Sequence, residues 1–394
     1  MLRVGVGESS LAQTSAAVAQ AAEKAMSRLD GDADLALVFA TAEHWQNANA
    51  LLAGLRAASK AEHIVGCSGA GVLTQDSEND AGPGIAVLAL ASDTIQARPF
   101  LYRPLRARER GFGPWLRERA GITSASGALL ALFPDSYNGD PRALLQGVGD
   151  ACGNLPVVGA GCSENGAAGK TYQMGGGEIA TNAVAGLAFT GAFHASVGIT
   201  QGCQPVAAPV TVTKAEGRLI LELDGRPAFE VFAGLIGAPL LENLRRALAY
   251  VFVGVPADRE LNRVGPGEYL ARNIIGIDPR QGILAVSDEI FEGEKIVFTL
   301  RDGQRAREDL VQMLQRQAQE LKGKKPGFGL YFDCLARGRS LYGIPGIDTA
   351  YIRNLLGDFP LIGFFGNFEL GPLGGRNQLL AYTGVLALID ESEP

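Results

Sequence analysis

The chain is short of the residues that most often carry metal binding, disulfide formation and acid-base catalysis. Its 394 residues include three histidines, and its five cysteines are an odd number without a Cys-x-x-Cys pair. Zinc sites and disulfide frameworks use cysteines at paired spacings, so neither is indicated. We therefore expect five reduced thiols, which are Cys67, Cys152, Cys162, Cys203 and Cys334.

Long apolar runs and an excess of positive charge are also missing. The longest apolar runs, such as Ile85–Ala91, are far shorter than the roughly 20 residues that span a bilayer. The first residues lack the apolar core of a signal peptide. A net charge of −7 disfavours binding to phosphate backbones and anionic lipids. We expect a cytoplasmic protein with no nucleic-acid partner and no membrane insertion.

The composition is that of a folded, soluble chain. Hydrophobic residues make up 47% and charged residues 20% of the sequence, whereas a disordered chain is poorer in apolar residues. The length is enough for two or three domains with large cores. The 52 glycines indicate many tight turns.

A strand, helix, strand, strand order recurs three times along the chain. The first copy has strand 35–40, helix 46–59, a strand ending at Gly66 and strand 84–90. The second has 128–133, 140–152, a strand ending at Gly159 and 183–189, and the third has 329–332, 348–356, a strand ending at Gly363 and 379–389. Repeated β-α-β-β units predict an α+β fold in which sheets are flanked by helices.

Two further segments lie between the second and third copies. Residues 210–223 are typical of a hairpin and are expected to mark the domain boundary. Residues 272–300 indicate two or three strands, followed by an amphipathic helix over 305–321. This segment is interpreted as a permuted partner of the third copy.

Polar residues in the third copy occur where its strands end. Cys334 and Arg337 follow the first strand, and Asn367 and Glu369 lie in the Gly-rich turn 366–372 after the second. Asn377 precedes the last strand, which carries Tyr382 and Thr383. Because polar loops at strand ends commonly build binding sites, we expect Cys334, Arg337, Asn367 and Glu369 to surround one pocket.

These residues resemble the C-terminal signature of the FIST family, intracellular signal-transduction sensors found mostly in bacteria. In that signature a Cys-x-x-Arg follows one strand, and a Gly-x-x-Glu-x-Gly-Pro-like turn follows the next. The resemblance continues upstream through 272–279 to about residue 225. From about residue 31, segments 64–74 and 156–163 resemble the FIST N-terminal domain, with Ser68 and Ser163 following Gly-Cys turns that are interpreted as equivalent.

The resemblance implies two domains and a sensory function. The N-terminal domain would cover 31–224, duplicated at about 31–100 and 120–195, and the C-terminal domain 225–390. The implied function is binding of a small ligand, such as an amino acid or a similar anionic metabolite, and signalling through a separate protein such as a histidine kinase or cyclase. The expected ligand-binding residues are Cys334, Arg337, Asn367, Glu369, Asn377, Ser68 and Ser163.

Several alternatives remain open at this point. Arg337 suits either a clamp on an anionic ligand or an ion pair with Glu369. Cys334 could be the reactive thiol of an enzyme, but no histidine lies within 130 residues of it in sequence to act as a base. Some FIST proteins are haem sensors with a histidine before the aromatic-Thr of the last strand. Here Leu380 and Ala381 occupy those positions, so no cofactor is expected and haem is a secondary alternative.

Overall fold

The computed structural model describes residues 1–29, 31–120, 122, 127–265 and 267–392. Helices and strands alternate in this part of the chain, and the fold is α+β as predicted. Three similar units and one inserted barrel contain all the described strands. The expected start of the second copy, near residue 120, adjoins positions 121 and 123–126, which lie outside the described residues.

Units 1 and 2 follow one another in the chain. Unit 1 contains β1 (Arg3–Ser9), α1 (Thr14–Met26), β2 (Leu35–Thr41), α2 (Ala42–Trp45), α3 (Ala48–Ser59), β3 (His63–Gly69), β4 (Val72–Thr74), β5 (Glu78–Asn79) and β6 (Ile85–Ala91). Unit 2 contains β7 (Ile95–Tyr102), a 3-10 turn (Glu109–Gly111), α4 (Phe112–Ala120), β8 (Leu129–Pro134), α5 (Pro141–Cys152), β9 (Val157–Ala160), β10 (Gln173–Gly175), β11 (Glu178–Ala180) and β12 (Val184–Gly191).

Unit 3 is interrupted by the barrel. It begins with β13 (Phe193–Gln201). The barrel segment then contains β14 (Cys203–Pro205), β15 (Val210–Glu216), β16 (Leu219–Leu223), β17 (Arg226–Pro227), α6 (Ala228–Ile236), α7 (Ala238–Leu241), α8 (Leu244–Tyr250), β18 (Val251–Pro256), β19 (Tyr269–Asp278), β20 (Ile283–Val286) and β21 (Lys295–Arg301). Unit 3 resumes with α9 (Gly303–Leu321), β22 (Phe328–Cys334), α10 (Gly338–Tyr342), α11 (Ile347–Leu356), β23 (Leu361–Gly366), β24 (Glu369–Leu373), β25 (Arg376–Leu380) and β26 (Thr383–Glu391).

Each unit forms a six-stranded sheet with the same order. From one edge strand to the other, the first sheet is β1-β6-β2-β3-β10-β11, the second is β7-β12-β8-β9-β24-β25, and the third is β13-β26-β22-β23-β4-β5. The central pairs β2/β3, β8/β9 and β22/β23 are parallel. These strands are apolar along nearly their whole length, as expected for strands covered on both faces. The identical strand orders confirm the predicted repeat.

The three sheets exchange their short hairpins in a closed ring. The hairpin β10–β11 of unit 2 completes the first sheet, β24–β25 of unit 3 completes the second, and β4–β5 of unit 1 completes the third. At the centre, Phe39, Phe133 and Phe332 hold matching positions on β2, β8 and β22. Their ring centroids are 5.2, 5.8 and 6.4 Å apart. The three units therefore share one core.

The glycine repeated in the three copies has a steric cause. A Cβ atom added at Gly66, Gly159 or Gly363 would lie 2.0, 2.0 or 1.7 Å from the carbonyl oxygen of the residue paired with it on the preceding strand. Real Cβ atoms do not approach an oxygen this closely, so a side chain would force the two strands apart. The same close approach in all three units identifies the glycine as a requirement of the parallel pair.

The barrel replaces the expected permuted partner of the third copy. Strands β21, β15, β16, β20, β19 and β18 pair in this order, and β18 pairs again with β21, so the six strands close on themselves. The interpretation of 272–300 as part of a repeat was wrong. Strands β19 to β21 pair with β15, β16 and β18 of the barrel and not with a strand of the three six-stranded sheets. The hairpin 210–223 lies inside the barrel. The expected boundary at 224/225 therefore falls within one sheet, and β1 and α1 precede the expected start at residue 31.

Two predictions for the third copy also need correction. Residues 379–389 are not one strand, since β25 ends at Leu380 and β26 begins at Thr383, in different sheets. Tyr382, between them, has a left-handed backbone with a φ of 61°. Glu369 does not lie in a turn, because residues 369–373 form β24 and pair with β9 and β25. The amphipathic helix is confirmed as α9, and Asp302 accepts hydrogen bonds from its first backbone amides.

Candidate functional site

The loop after β22 carries Arg337 into a fully buried cluster of charged groups. Its guanidinium Nε lies 2.8 Å from Asp333 Oδ1 and donates to Asp348 Oδ2 at 3.0 Å. Nη2 donates to the same Asp348 oxygen and to the Tyr342 hydroxyl, each at 2.8 Å. The Tyr331 hydroxyl donates to Asp348 at 2.7 Å. None of the side chains of Asp333, Arg337 and Asp348 is exposed to solvent.

Arg337 does not form the ion pair with Glu369 that was one of its two predicted roles. The helix α11 places Asp348 beside the guanidinium, and Asp333 at the end of β22 occupies the other side. Glu369 instead accepts hydrogen bonds from the backbone amide and hydroxyl of Thr383, at 3.2 and 2.7 Å. Arg337 still stabilises the charged form of Glu369 electrostatically. Cys334, Arg337 and Glu369 are thus neighbours in one buried region.

Burial makes the carboxyl groups of this region hold their protons more strongly. It raises the pKa of Glu369 to about 8, although Thr383, Cys334 and Arg337 oppose the shift. Burial together with the charge of Asp348 raises the pKa of Asp333 well above its usual range, against the opposing effect of Arg337. The same two causes raise the pKa of Glu78 to about 7. Burial and the proximity of these carboxyl groups therefore disfavour a full set of negative charges in the cluster.

Glu78 connects unit 1 to this cluster. Its carboxylate accepts from the backbone amides of Gly346 and Thr349, at 2.8 and 2.7 Å. These amides lie at the start of α11, whose own N-cap residue, Gly346, provides no side-chain acceptor. A hairpin of unit 1 thus caps the helix of unit 3 that carries Asp348.

Cys334 is a buried thiol beside Glu369. Burial, followed by the negative charge of Glu369, raises the pKa of the Cys334 thiol well above its ordinary value. All five cysteines are buried and none forms a disulfide. This environment favours the protonated form of the thiol.

Ser68 and Ser163 join the units where the three parallel pairs end. The Ser163 hydroxyl accepts from the Ala70 amide at 2.8 Å and donates to the Phe365 carbonyl, while the Ser163 amide donates to the Ser68 carbonyl. Ser68 accepts from the Tyr172 amide. The predicted equivalence of the two serines was wrong. With Gly66 matched to Gly159, Ser68 matches Gly161 rather than Ser163.

The two asparagines lie apart from the buried cluster. Asn367 is exposed in the connection between β23 and β24, and its backbone amide donates to Gly161. The Asn377 side chain accepts from the Val157 amide at 2.9 Å and donates to the Leu155 carbonyl at 2.8 Å, which ties β25 to the start of β9. A single pocket that includes all the predicted residues is therefore not formed.

Asn377 also borders an open region where unit 2, the hairpin β24–β25 and the barrel meet. Two adjoining cavities of about 500 and 460 Å³ share Arg142, Arg272, Arg376, Asn377 and Gln378 in their walls. We call this region the junction cavity. Arg142 and Arg376 are half exposed or more, whereas Arg272 is 7% exposed.

An ion-pair network organises the junction cavity. Arg272 Nε and Arg142 Nη2 contact the same Asp288 oxygen, at 2.8 and 3.0 Å. Burial alone would raise the pKa of Asp288, but these arginines hold it below its ordinary value. Arg376 pairs with Glu260 at 2.7 Å. Side-chain amides of Asn154, Gln146 and Gln378 complete a wall that is rich in hydrogen-bond donors.

Sequence reasoning did not identify the residues that complete these two regions. Asp348, Glu78 and Tyr342 belong to no motif, and their convergence on Arg337 depends on the packing of α10, α11 and the exchanged hairpin. Arg272 lies in the segment 272–279 that carried the family resemblance, which was the available signal for the junction cavity.

The described residues do not favour a metal or a haem. They contain no group of three or more His, Cys, Asp or Glu side chains placed to hold a metal ion. The haem alternative requires an axial histidine just before the aromatic-Thr pair of the last strand. Leu380 lies at this place and is buried in the core. The Tyr382 hydroxyl donates to Asn273 at 2.8 Å, and its ring packs on Phe252 at 4.3 Å. The residues there do not fit a haem.

Among the described helices, none has the length and apolarity needed to cross a bilayer.

The chain is similar along nearly its whole length to two mycobacterial proteins. An uncharacterized protein of Mycobacterium tuberculosis is 31% identical over 388 residues, which is 98% of this chain and 99% of that protein. An uncharacterized protein of Mycobacterium bovis is 30% identical over 399 residues, covering both chains fully. Cyanuric acid hydrolase from A. caulinodans aligns over both whole chains with a TM-score of 0.41 and 10% identity.

Two family models account for most of the sequence. The FIST N domain matches residues 34–226, and the FIST C domain matches residues 228–372. FIST domains are associated with signal-transduction sensors. With both domains matched in order and relatives aligned from end to end, this chain belongs to the FIST family.

Proposed function

We propose that this FIST protein is a cytoplasmic sensor that binds a small amino-acid-like metabolite in the junction cavity. The observation that carries the proposal is the convergence of Arg142, Arg272 and Arg376 on one open cavity. A guanidinium offers a planar, bidentate fork to a carboxylate. The surface ion pairs of Arg142 and Arg376 are weak and exchangeable, so a ligand carboxylate can replace or join their present partners.

The acidic residues of the same cavity suit the other end of such a ligand. Asp258, Glu260 and Glu289 of the barrel segment line the same cavity as the arginines. A zwitterion places a carboxylate and an ammonium group a few ångströms apart and so matches a wall that carries both signs. This arrangement supports an amino acid or a close relative over a purely hydrophobic ligand.

The position of the cavity supports a signalling role. Its walls come from α5 of unit 2, the exchanged hairpin of unit 3 and two strands of the barrel. A ligand that bridges these parts binds one arrangement of barrel and ring better than others, and can therefore shift their relative populations. The signal would pass to a separate protein such as a histidine kinase or cyclase that distinguishes the two arrangements.

A catalytic role receives less support. The Cys334 thiol is buried next to the Glu369 carboxyl, and burial with that charge raises the pKa of the thiol and keeps it protonated. Among the described residues, none of His44, His63 and His194 hydrogen-bonds Cys334, so no histidine base is in place. We therefore propose a binding protein that carries out no chemistry and needs no cofactor.

Calorimetry on the full-length chain tests the proposal. We would titrate the twenty common amino acids and a panel of small dicarboxylates into the wild type and an Arg142→Ala/Arg376→Ala variant. The variant should bind the best compound at least about tenfold more weakly, since charge-assisted hydrogen bonds contribute roughly 1.5 to 3 kcal/mol. Arg280→Ala, which removes an exposed arginine outside the cavity, is the matched control. Equal affinity in the double variant and the control would contradict the proposed site.

A further inference from the structure

Unit 2 contains a cavity of about 600 Å³ between strand β7, helix α4 and the turn of the hairpin β10–β11. We call it the β7–α4 cavity. Phe100 and Trp115 contribute aromatic surface, Arg98 and Arg119 contribute guanidinium groups, and His63 and Glu178 lie at its border. It shares no residue with the junction cavity, so a ligand bound here would be additional to the one in the proposed function.

The internal repeat explains why unit 2 is open at this place. By strand register, Phe100 pairs with Gly186 at the position where Gly7 pairs with Val87 in unit 1 and Gly198 pairs with Leu386 in unit 3. Arg98 in the same way corresponds to Gly5 and Ser196. The positions that face the helix are therefore small in units 1 and 3 and large in unit 2.

The small residues allow direct contact between helix and strand. A Cβ atom added at Gly5 or Gly7 would lie 1.9 or 2.2 Å from a carbonyl oxygen of α1. One added at Gly198 would lie 2.3 Å from the sulfur of Met313 on α9. In unit 1 and at this point of unit 3, the helix therefore rests on its strand.

In unit 2 the helix packs elsewhere. The Phe100 side chain lies over Gly186, and α4 approaches α5 closely, since a Cβ atom added at Gly113 would lie 1.9 Å from the Gly147 carbonyl oxygen. The rings of Phe100 and Trp115 meet edge to face, with centroids 6.2 Å apart and planes at 71°. The open space beside them results from a specific change to the repeat, with an aromatic wall in place of the glycine contact.

The charges of the β7–α4 cavity favour an anion. Glu178 is already paired with Arg103, at 2.8 Å. In the part of the chain that the structure describes, Arg98 hydrogen-bonds the neutral side chain of Gln96, and neither Arg98 nor Arg119 forms an ion pair. Two guanidinium groups without a carboxylate partner therefore border this cavity. Next to an aromatic wall, they match a ligand that is both planar and anionic.

We propose that the β7–α4 cavity binds a small aromatic carboxylate. The ring of the ligand packs against Trp115 and Phe100, and its carboxylate accepts hydrogen bonds from Arg98 and Arg119. Gly175 at the end of β10 and Gly176 in the hairpin turn also line the cavity and contribute no side chains to it.

Calorimetry with 1-naphthoate as the probe tests this proposal, with 1-naphthalenemethanol as its neutral counterpart. We expect one saturable site for the carboxylate and at least about tenfold weaker binding of the alcohol. An Arg98→Ala/Arg119→Ala variant should lose about tenfold or more in naphthoate affinity. Arg117→Ala, which changes an exposed arginine on the same helix outside the cavity, should not.

Tryptophan fluorescence gives a second measurement at the site. The chain has two tryptophans, and Trp45 is buried and stacked on Tyr172. A Trp45→Phe variant therefore reports on Trp115, and naphthoate should change its emission with the same affinity as in calorimetry. Equal binding of acid and alcohol, unchanged affinity in the double variant, or no saturable binding would overturn the proposal. The Arg142→Ala/Arg376→Ala variant should bind naphthoate like the wild type, which separates the two proposed sites.

Discussion

Arg337 donates to a single oxygen of Asp348 from two of its nitrogens, Nε and Nη2, at 3.0 and 2.8 Å. Asp333 contacts the same guanidinium from the end of β22. Burial opposes the charge of the guanidinium, but Asp348 and its neighbours hold the pKa of Arg337 well above its ordinary value. The short connection after β22 thus places Arg337 in a buried ion-pair cluster.

Replacing Arg337 by methionine, which keeps much of its length and removes its charge, should destabilise the protein by about 3 to 5 kcal/mol. The cause is the buried Asp348 carboxylate, which would lose its partner. Urea unfolding followed by circular dichroism measures the effect. Arg353→Met, which changes an exposed arginine on α11, is the control and should change stability by no more than about 0.5 kcal/mol. Similar values for the two variants would mean that the ion pair contributes little.

Glu369 should make the protein less stable as the pH rises from about 5 to about 8. Its pKa is raised from 4.5 to about 8 in the folded state, so the folded chain holds a proton that the unfolded chain releases across this window. The stabilisation is complete below the unfolded pKa and is lost as the pH passes the folded pKa. Glu369→Gln should therefore flatten the dependence of the unfolding free energy on pH.

The pH measurement needs a matched control because other groups titrate in the same range. Glu308→Gln changes an exposed glutamate on α9 and should leave the slope as in the wild type. Glu78→Gln should also reduce the slope, since burial raises the pKa of Glu78 to about 7. A Glu369→Gln curve parallel to that of the wild type would show that the carboxyl is not a source of the dependence.

Gly66→Ala should destabilise unit 1 at the upper end of the range for overpacked sites, by about 3 kcal/mol or more. The added methyl group would lie 2.0 Å from the Val38 carbonyl oxygen and 2.6 Å from Val38 Cγ1, and neither can move without separating β2 from β3. Thermal unfolding and the yield of soluble protein report the loss. Gly234→Ala is the control, because nothing lies within 4 Å of a Cβ atom there. An alanine inside α6 should be neutral or stabilising by up to about 1 kcal/mol. Equal stability of both variants would contradict the steric explanation.

The native protein should react slowly with iodoacetamide at all five cysteines. Each thiol is buried, and burial with a nearby carboxyl raises the pKa of Cys334. Mass spectrometry after a short exposure should find little alkylation without urea and five modified cysteines with it. Ser10→Cys, which places a thiol at an exposed position, is the positive control for the native state. Rapid and selective modification of Cys334 would instead support the enzyme alternative.

The sequence allowed prediction of the repeated units because their signals are local. Apolar strands such as Leu35–Thr41, the helix over 303–321 and the glycine after each second strand all follow from short patterns and backbone sterics. The exchange of hairpins could not be predicted in this way. Glu369 and Gly371 lie among glycines and a proline that are typical of a turn, yet pairing with β9 of another unit holds them in a strand. The conformation of these residues therefore depends on contacts between units and not on the local sequence.

The candidate sites show the same difference between features that follow from local sequence signals and features that depend on packing. The proximity of Cys334, Arg337 and Glu369 was predictable because parallel strands end at one edge of a sheet. The choice of Asp348 over Glu369 as the partner of Arg337 depended on the packing of α11. The β7–α4 cavity has no sequence motif, since its cause is visible only when Phe100 is aligned with Gly7 and Gly198 through the strand register.

The exchanged hairpins have a consequence for any attempt to dissect the chain. Cutting it between the two family-matched segments, at residue 227, would leave the N-terminal fragment with a second sheet that lacks β24 and β25. The C-terminal fragment would keep β22, β23 and β26 but would lack β4, β5 and β13. Each fragment would expose unpaired strand edges that are prone to aggregation. The two segments named as separate domains should therefore be recovered as folded material only when both are produced together.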